Sequence, residues 1–198
     1  KALIKMRDQN REKNLSLLTP SRSELNLLDS NNVENWFIKK KPSIVILAAA
    51  KVGGIFANKT YPADFLMENL ILQTNVIKSS WSQGVKRFIF LGSSCIYPKY
   101  AKQPITEEEL LRNSLETSNE CYAIAKITGL KLCESLRAQY NFDAISLMPT
   151  NLYGPNDNYH PINSHVIAAL IRKFLNAKKE RLTSVTCWGS GCAYREFM

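Results

Sequence analysis

The chain contains no apolar run approaching the roughly 18 residues of a membrane-spanning helix. Its basic opening, Lys1-Ala2-Leu3-Ile4-Lys5-Met6-Arg7, is not followed by an apolar stretch with a cleavage site. A soluble, cytoplasmic protein with no membrane partner is expected. Histidine is scarce, with only His160 and His165, and the five cysteines (Cys95, Cys121, Cys133, Cys187 and Cys192) are odd in number and scattered. That spacing supplies neither a disulfide framework nor a zinc pattern, so reduced thiols and no metal are expected. The formal net charge is +9, yet its excess is split among residues 1–13, 39–41 and 172–181, with no basic stripe carrying interleaved aromatics. Nucleic acid is therefore not an expected partner, whereas a phosphorylated small molecule would exploit such a field. Internal repeats and low-complexity segments are absent as well.

What is present is ordinary globular material: 198 residues, 45% hydrophobic and 22% charged, enough for a sizeable core. Short strand-like runs alternate with longer helical stretches. Ser43–Ala48, Arg87–Leu91 and Asp143–Met148 read as buried strands, Leu15–Leu18 as a short one and Ser184–Trp188 as a last one. Helices are expected over 1–13, from a cap at Asp29 or Ser30 to Lys40, over 62–83 with Gly84 as the stop, over 106–111, from a cap at Asn119 to Tyr140, and over 164–177. Strands alternating with helices of this length predict an α/β fold built on a doubly wound parallel sheet. In such sheets ligands bind beyond the carboxyl ends of the strands, where segments 48–54, 92–97 and 149–154 fall. A dinucleotide fold opens with a strand and a Gly-x-x-Gly-x-x-Gly turn that receives the pyrophosphate at a helix N-terminus. No such turn occurs in the 198 residues, so the expected sheet lacks its first strand and glycine loop.

The chemistry centres on Tyr122 and Lys126. Residues i and i+4 share a helix face, which brings the ammonium to the phenol. A free phenol has a pKa of about 10, and a nearby cation is expected to lower it toward a useful general acid/base. Ser93, at the end of a strand, can share the substrate oxygen. Taken alone, a Tyr-x-x-x-Lys pair also decorates ordinary amphipathic helices, and its meaning depends on context.

The context is an ordered series of segments: 48–55 (AAAKVGGI), 92–98 (GSSCIYP), 122–126 (YAIAK), 149–155 (PTNLYGP), 163–167 (NSHVI), 188–191 (WGSG) and 195–197 (REF). This series resembles the GDP-L-fucose synthases, extended short-chain dehydrogenase/reductases that epimerise and then reduce a nucleotide sugar. The resemblance covers nearly the whole chain. It implies a Rossmann-like NADP-binding domain, partial over residues 1–160, and the beginning of a substrate-binding region over 161–198. It also implies inversion at C3 and C5 of GDP-4-keto-6-deoxy-D-mannose, followed by NADPH reduction of the C4 ketone.

By the same resemblance, Cys95 is the epimerising base and His165 the acid. Ser93 and Tyr122 bind the C4 oxygen, Tyr122 protonates it, and Lys126 tunes the phenol and holds the nicotinamide ribose. Arg22 pairs with the 2′-phosphate of NADP. Ala48, Ala49, Ala50, Leu91, Gly92, Ser93, Ser94, Pro149, Thr150, Asn151, Leu152 and His165 line the cofactor, and Val52, Gly53, Gly54, Lys173, Trp188 and Arg195 meet the GDP-sugar. Lys173 departs from the family's usual Arg and turns a bidentate phosphate contact into a point charge. Homodimerisation through the helices at 62–84 and 119–141 is implied too. Two alternatives stand beside this reading: another nucleotide-sugar epimerase of the same superfamily, or a truncated remnant without catalysis. The missing glycine loop motivates the second.

Overall fold

The computed structural model describes residue 4 and residues 16–198, except 162, 163, 188, 193 and 195. The helix expected over 1–13 lies, but for Ile4, outside the described residues, and residues 16–18 form no strand. Helix α1 runs Ser30–Lys40, and the Asp29 side chain accepts a hydrogen bond from the Asn32 amide at 3.0 Å, satisfying one of the free donors of the first turn. Strand β1 is Ile44–Leu47, β2 is Arg87–Leu91 and β3 is Ala144–Leu147. They pair in parallel in the order β1-β2-β3, with Val45 beside Phe88 and Phe88 beside Ala144. The crossovers carry a short helix α2 (Ile55–Thr60), the long α3 (Pro62–Ser82) and, before β3, α4 (Glu120–Tyr140). Helix α5, Val166–Glu180, follows β3. This is a Rossmann-like α/β fold with a parallel sheet, as the alternation of elements predicts.

Helices α1, α3 and α4 lie side by side in one layer, α3 packing against both neighbours. Alternation along the strands sends Leu47, Phe88 and Phe90 into that layer, where they are buried with Val33, Phe37, Val76, Ile77, Leu130 and Cys133. The side chains on the other face are more open: Ile46 is 44% exposed and Leu147 47%. Helices α3 and α4 meet closely because Gly129 has no side chain. A Cβ there would lie 2.5 Å from Phe90 Cζ and 2.8 Å from Gln73 Oε1.

Three expectations are corrected. Residues 184–187 are not a strand: Ser-Val-Thr-Cys has β propensity, but strands need a ladder partner, and the described residues supply none there. The extended pairing near the end of the chain instead joins Asn151 to Phe197 in parallel. Residues 55–60, where no helix is expected, fold into α2, and the helix expected over 106–111 is a single 3-10 turn at Glu107–Glu109.

Candidate active site

Parallel strands deliver their carboxyl ends to one edge of the sheet, so segments 48–54, 92–97 and 149–154 converge. At the end of β2 the backbone turns through a 3-10 turn, Ser94–Ile96, opened by Ser93. Ser93 Oγ accepts from the Cys95 amide at 3.5 Å, and the Cys95 thiol lies 3.1 Å from the same oxygen. From α4, Tyr122 and Lys126 reach the same place, since one helical turn separates them. The Tyr122 phenol lies close enough to Ser93 for that hydroxyl to pull its pKa down. Lys126 is 4% exposed, and its ammonium donates to the Leu91 carbonyl at 2.9 Å. It sits 4.9 Å from the Phe90 ring centroid and 5.9 Å from that of Tyr122. Ser93, Cys95, Tyr122 and Lys126 are therefore one cluster.

Its electrostatics correct the expected tuning. Burial pushes the Tyr122 phenol well above its ordinary value, the Cys95 charge adds to the rise, and the Ser93 hydrogen bond only opposes it. The Lys126 amine is driven down to about 8 by burial, with Cys95 pulling the other way. Burial also raises the Cys95 thiol, against the Ser93 hydrogen bond and the Lys126 charge. Desolvation wins over the ammonium at the phenol because Lys126 is directed at the Leu91 carbonyl. Tyr122 is thus held as a proton donor near neutrality.

The segment after β1 is fixed by amides that the sequence reading did not single out. The Lys51 amide donates to Asn69 Oδ1 at 2.9 Å, and Asn69 Nδ2 donates to the carbonyls of Lys51 (3.0 Å) and Phe65 (2.7 Å). Asn58 Nδ2 donates to the carbonyls of Gly53 (2.8 Å) and Gly54 (3.1 Å). A Cβ at Gly53 would stand 3.0 Å from both Ala57 Cβ and Phe65 Cζ, so a side chain there would press both neighbours aside. The Lys51 ammonium pairs with Glu68 and Asp64 on α3, and Glu68 holds its pKa up. The available signal was polar residues at positions 69 and 73, in i, i+4 register with Phe65 along an otherwise apolar stripe of α3.

The residues at this edge suit a dinucleotide. Ala48 and Ala49 are small and exposed, and Gly92 lets the backbone pass so close to the Met148 thioether that a Cβ would meet its sulfur. Thr150 Oγ1 is buried without a hydrogen-bond partner in the protein, an acceptor and donor left for a ligand. Ala50, Ser94, Pro149, Asn151 and Leu152 stand on the same three segments, and Leu91 ends β2 just before one of them. Asn151 is tied to the Glu196 carbonyl through its amide (3.2 Å) and its side chain (2.9 Å). The other expected site residues lie on other segments. His165 is exposed at the N-cap of α5 and makes no side-chain capping bond, and Arg22 is exposed in a turn before α1. Lys173 donates to the Thr186 carbonyl at 3.1 Å. Trp188 and Arg195 lie outside the described residues.

Residues 3–198 match the NAD dependent epimerase/dehydratase family. The chain is 58% identical over 183 residues to GDP-L-fucose synthase 1 of Arabidopsis thaliana, covering 92% of this chain and 57% of that protein. It is 55% identical over 184 residues to GDP-L-fucose synthase of Escherichia coli (strain K12), covering 93% and 57%. Its fold superposes with a TM-score of 0.84 on a GDP-L-fucose synthetase from Naegleria fowleri bound to NADP, at 29% identity, over 100% of this chain and 63% of that one. The chain thus spans little more than half the length of the curated relatives it matches.

Proposed function

This chain belongs to the NAD dependent epimerase/dehydratase family, and we propose that in its full-length protein it carries the catalytic face of a GDP-L-fucose synthase. The activity is epimerisation of GDP-4-keto-6-deoxy-D-mannose at C3 and C5, then reduction at C4. The observation that carries this reading is the Cys95 thiol 3.1 Å from Ser93 Oγ, beside Tyr122 and Lys126. Carbonyl reduction needs hydroxyls to hold the oxygen and one to protonate it; a thiol beside them has no part in that step. A 4-keto group acidifies the C–H bonds at C3 and C5, and a base next to the groups holding the ketone oxygen can take those protons.

Cys95, deprotonated, accepts the proton from carbon while Ser93 and Tyr122 donate hydrogen bonds to the enolate oxygen. Burial raises the thiol's pKa, and the Ser93 hydrogen bond and the Lys126 charge work against that rise in favour of the thiolate. His165 returns a proton to the opposite face. NADPH, when bound, supplies the hydride to C4. Tyr122, kept protonated by burial, gives its proton to the C4 oxygen. Lys126 orients the nicotinamide ribose.

Arg22 receives the 2′-phosphate, and the segments 48–50, 91–94 and 149–152 line the cofactor. Val52, Gly53, Gly54, Lys173, Trp188 and Arg195 meet the GDP-sugar. Residues 1–160 belong to the NADP-binding domain and 161–198 open the substrate region. Met67 (55% exposed), Ile71 (40%) and Ile124 (41%) leave an apolar face on α3 and α4, which supports homodimerisation there. No helix among the described residues is long and apolar enough to cross a membrane, in keeping with a cytoplasmic enzyme. The test is full-length protein with NADPH and the 4-keto-6-deoxy GDP-sugar, followed by cofactor absorbance and product identity. Absence of both cofactor oxidation and GDP-fucose refutes the reading.

A further inference from the structure

Helix α3 carries three residues on one stripe, Phe65, Asn69 and Gln73, spaced i, i+4, i+8. All three are buried, and each touches a different part of the site or its support. Phe65 stands edge-on to the Tyr122 ring, with centroids 6.4 Å apart, and its ring tip lies beneath Gly53. Asn69 holds the amide and the carbonyl of Lys51. Gln73 donates from Nε2 to the Ala125 carbonyl at 2.6 Å, one residue before Lys126.

We infer that this stripe is a positioning row, with Asn69 as the residue that fixes segment 51–54 relative to the catalytic helix α4. The inference deepens the proposed function, since it rests on the reading that the 52–54 backbone meets the GDP-sugar. Segment 51–54 belongs to the connection after β1, while Tyr122 and Lys126 belong to α4. Strand pairing alone leaves the gap between them free to vary. Phe65 and Gln73 lock α3 to α4, and Asn69 locks α3 to Lys51. One side-chain amide donates to one backbone carbonyl and accepts from the amide of the same residue, so Lys51 cannot translate or rotate without breaking a part-buried hydrogen bond. Asn58 pins the far end of the segment at Gly53 and Gly54. None of these side chains needs to touch substrate. They act through the backbone that does.

The test uses the full-length enzyme and two variants. Asn69→Asp keeps the acceptor for the Lys51 amide and removes the donor to the Lys51 and Phe65 carbonyls, while Asn69→Ser removes the reach to Lys51 altogether and buries no charge. Three quantities are compared with the unsubstituted enzyme: KM for the GDP-sugar, NADPH affinity by fluorescence titration, and amide hydrogen exchange at 51–54 and at 88–91. A positioning role predicts KM for the sugar raised about tenfold or more, and NADPH affinity changed less than about twofold. It also predicts faster exchange at 51–54 with 88–91 unaltered. Faster exchange at 51–54 with an unchanged KM overturns the inference, as does a uniform rise of exchange at both places, which marks general loosening. Unchanged exchange at 51–54 overturns it too. If the unsubstituted enzyme fails to turn over the GDP-sugar, the functional reading falls, and the exchange data still decide whether Asn69 fixes the segment.

Discussion

Replacing Lys126 by Met should stabilise the ligand-free protein at neutral pH and abolish that advantage in alkali. The lysine is 4% exposed, and burial lowers its pKa to about 8 from an ordinary value of 10.5. A shift of about 2.5 units at about 1.4 kcal/mol each means that keeping the ammonium charged costs the folded state about 3 kcal/mol. Because the folded value is the lower one, the folded chain binds fewer protons than the unfolded chain between the two. The contribution of this group to stability is therefore full above about 10.5 and is lost as pH falls through about 8. Methionine has nearly the same length and removes that cost, but it leaves the Leu91 carbonyl without the ammonium donor, a loss of about 1–3 kcal/mol. The net expectation at pH 7 is a gain of about 0.5–2 kcal/mol, turning into a loss of similar size near pH 10.5. Urea unfolding of both proteins at pH 7 and pH 10 measures it. Taking the difference cancels the titration of groups remote from Lys126, and making both proteins in a Cys95→Ser background removes the neighbouring thiol that feels its charge. A stability difference that stays constant between the two pH values would refute the reasoning, whatever its sign. The same variant should be inactive, so the lysine is retained against stability.

Gly129→Ala should lower Tm despite a gain of about 1 kcal/mol in helix propensity. The added carbon meets Phe90 and Gln73 at 2.5 and 2.8 Å, and overpacking of that kind costs about 1–3 kcal/mol. Scanning calorimetry showing an unchanged or higher Tm would contradict it. Cys95→Ser should slow solvent exchange of the C3 and C5 hydrons by about 100-fold or more, measured by mass spectrometry in deuterated water, while an already epimerised 4-keto sugar is still reduced. Tyr122→Phe should show the reverse balance, with NADPH oxidation reduced about 100-fold or more and hydron exchange reduced less, because Ser93 still holds the enolate oxygen. Equal loss of both half-reactions in both variants would remove the division of labour proposed for the cluster.

The strands were legible because Ile44–Leu47, Arg87–Leu91 and Ala144–Leu147 are largely apolar runs bounded by turn residues, although the described residues bury only the face toward α1, α3 and α4. Residues 184–187 show the limit of the same signal, since a strand exists only with a neighbour and the neighbour is not written locally. The joining of Tyr122 and Lys126 followed from helical spacing, and their approach to Ser93 and Cys95 from the strand-end rule. The direction of the phenol's shift did not follow. It depends on how deeply α4 is covered by α3 and on which acceptor the ammonium finds, and both are tertiary facts. Asn69 and Gln73 escaped notice because a polar side chain in mid-helix is usually solvated, whereas here two distant backbone segments need its amide.

The stripe along α3 also bears on how the chain can vary in length. Each residue turns an α-helix by about 100° and advances it 1.5 Å. An insertion or deletion of one residue between Phe65 and Gln73 would therefore swing one end of the stripe a quarter-turn away from its partners, leaving either Lys51 or Ala125 without its amide. No hydrophobic repacking substitutes for that, because the lost contacts are to backbone carbonyls. Between Phe65 and Gln73 the spacing of three side chains thus acts as a ruler that tolerates substitution elsewhere on the helix but no change in length.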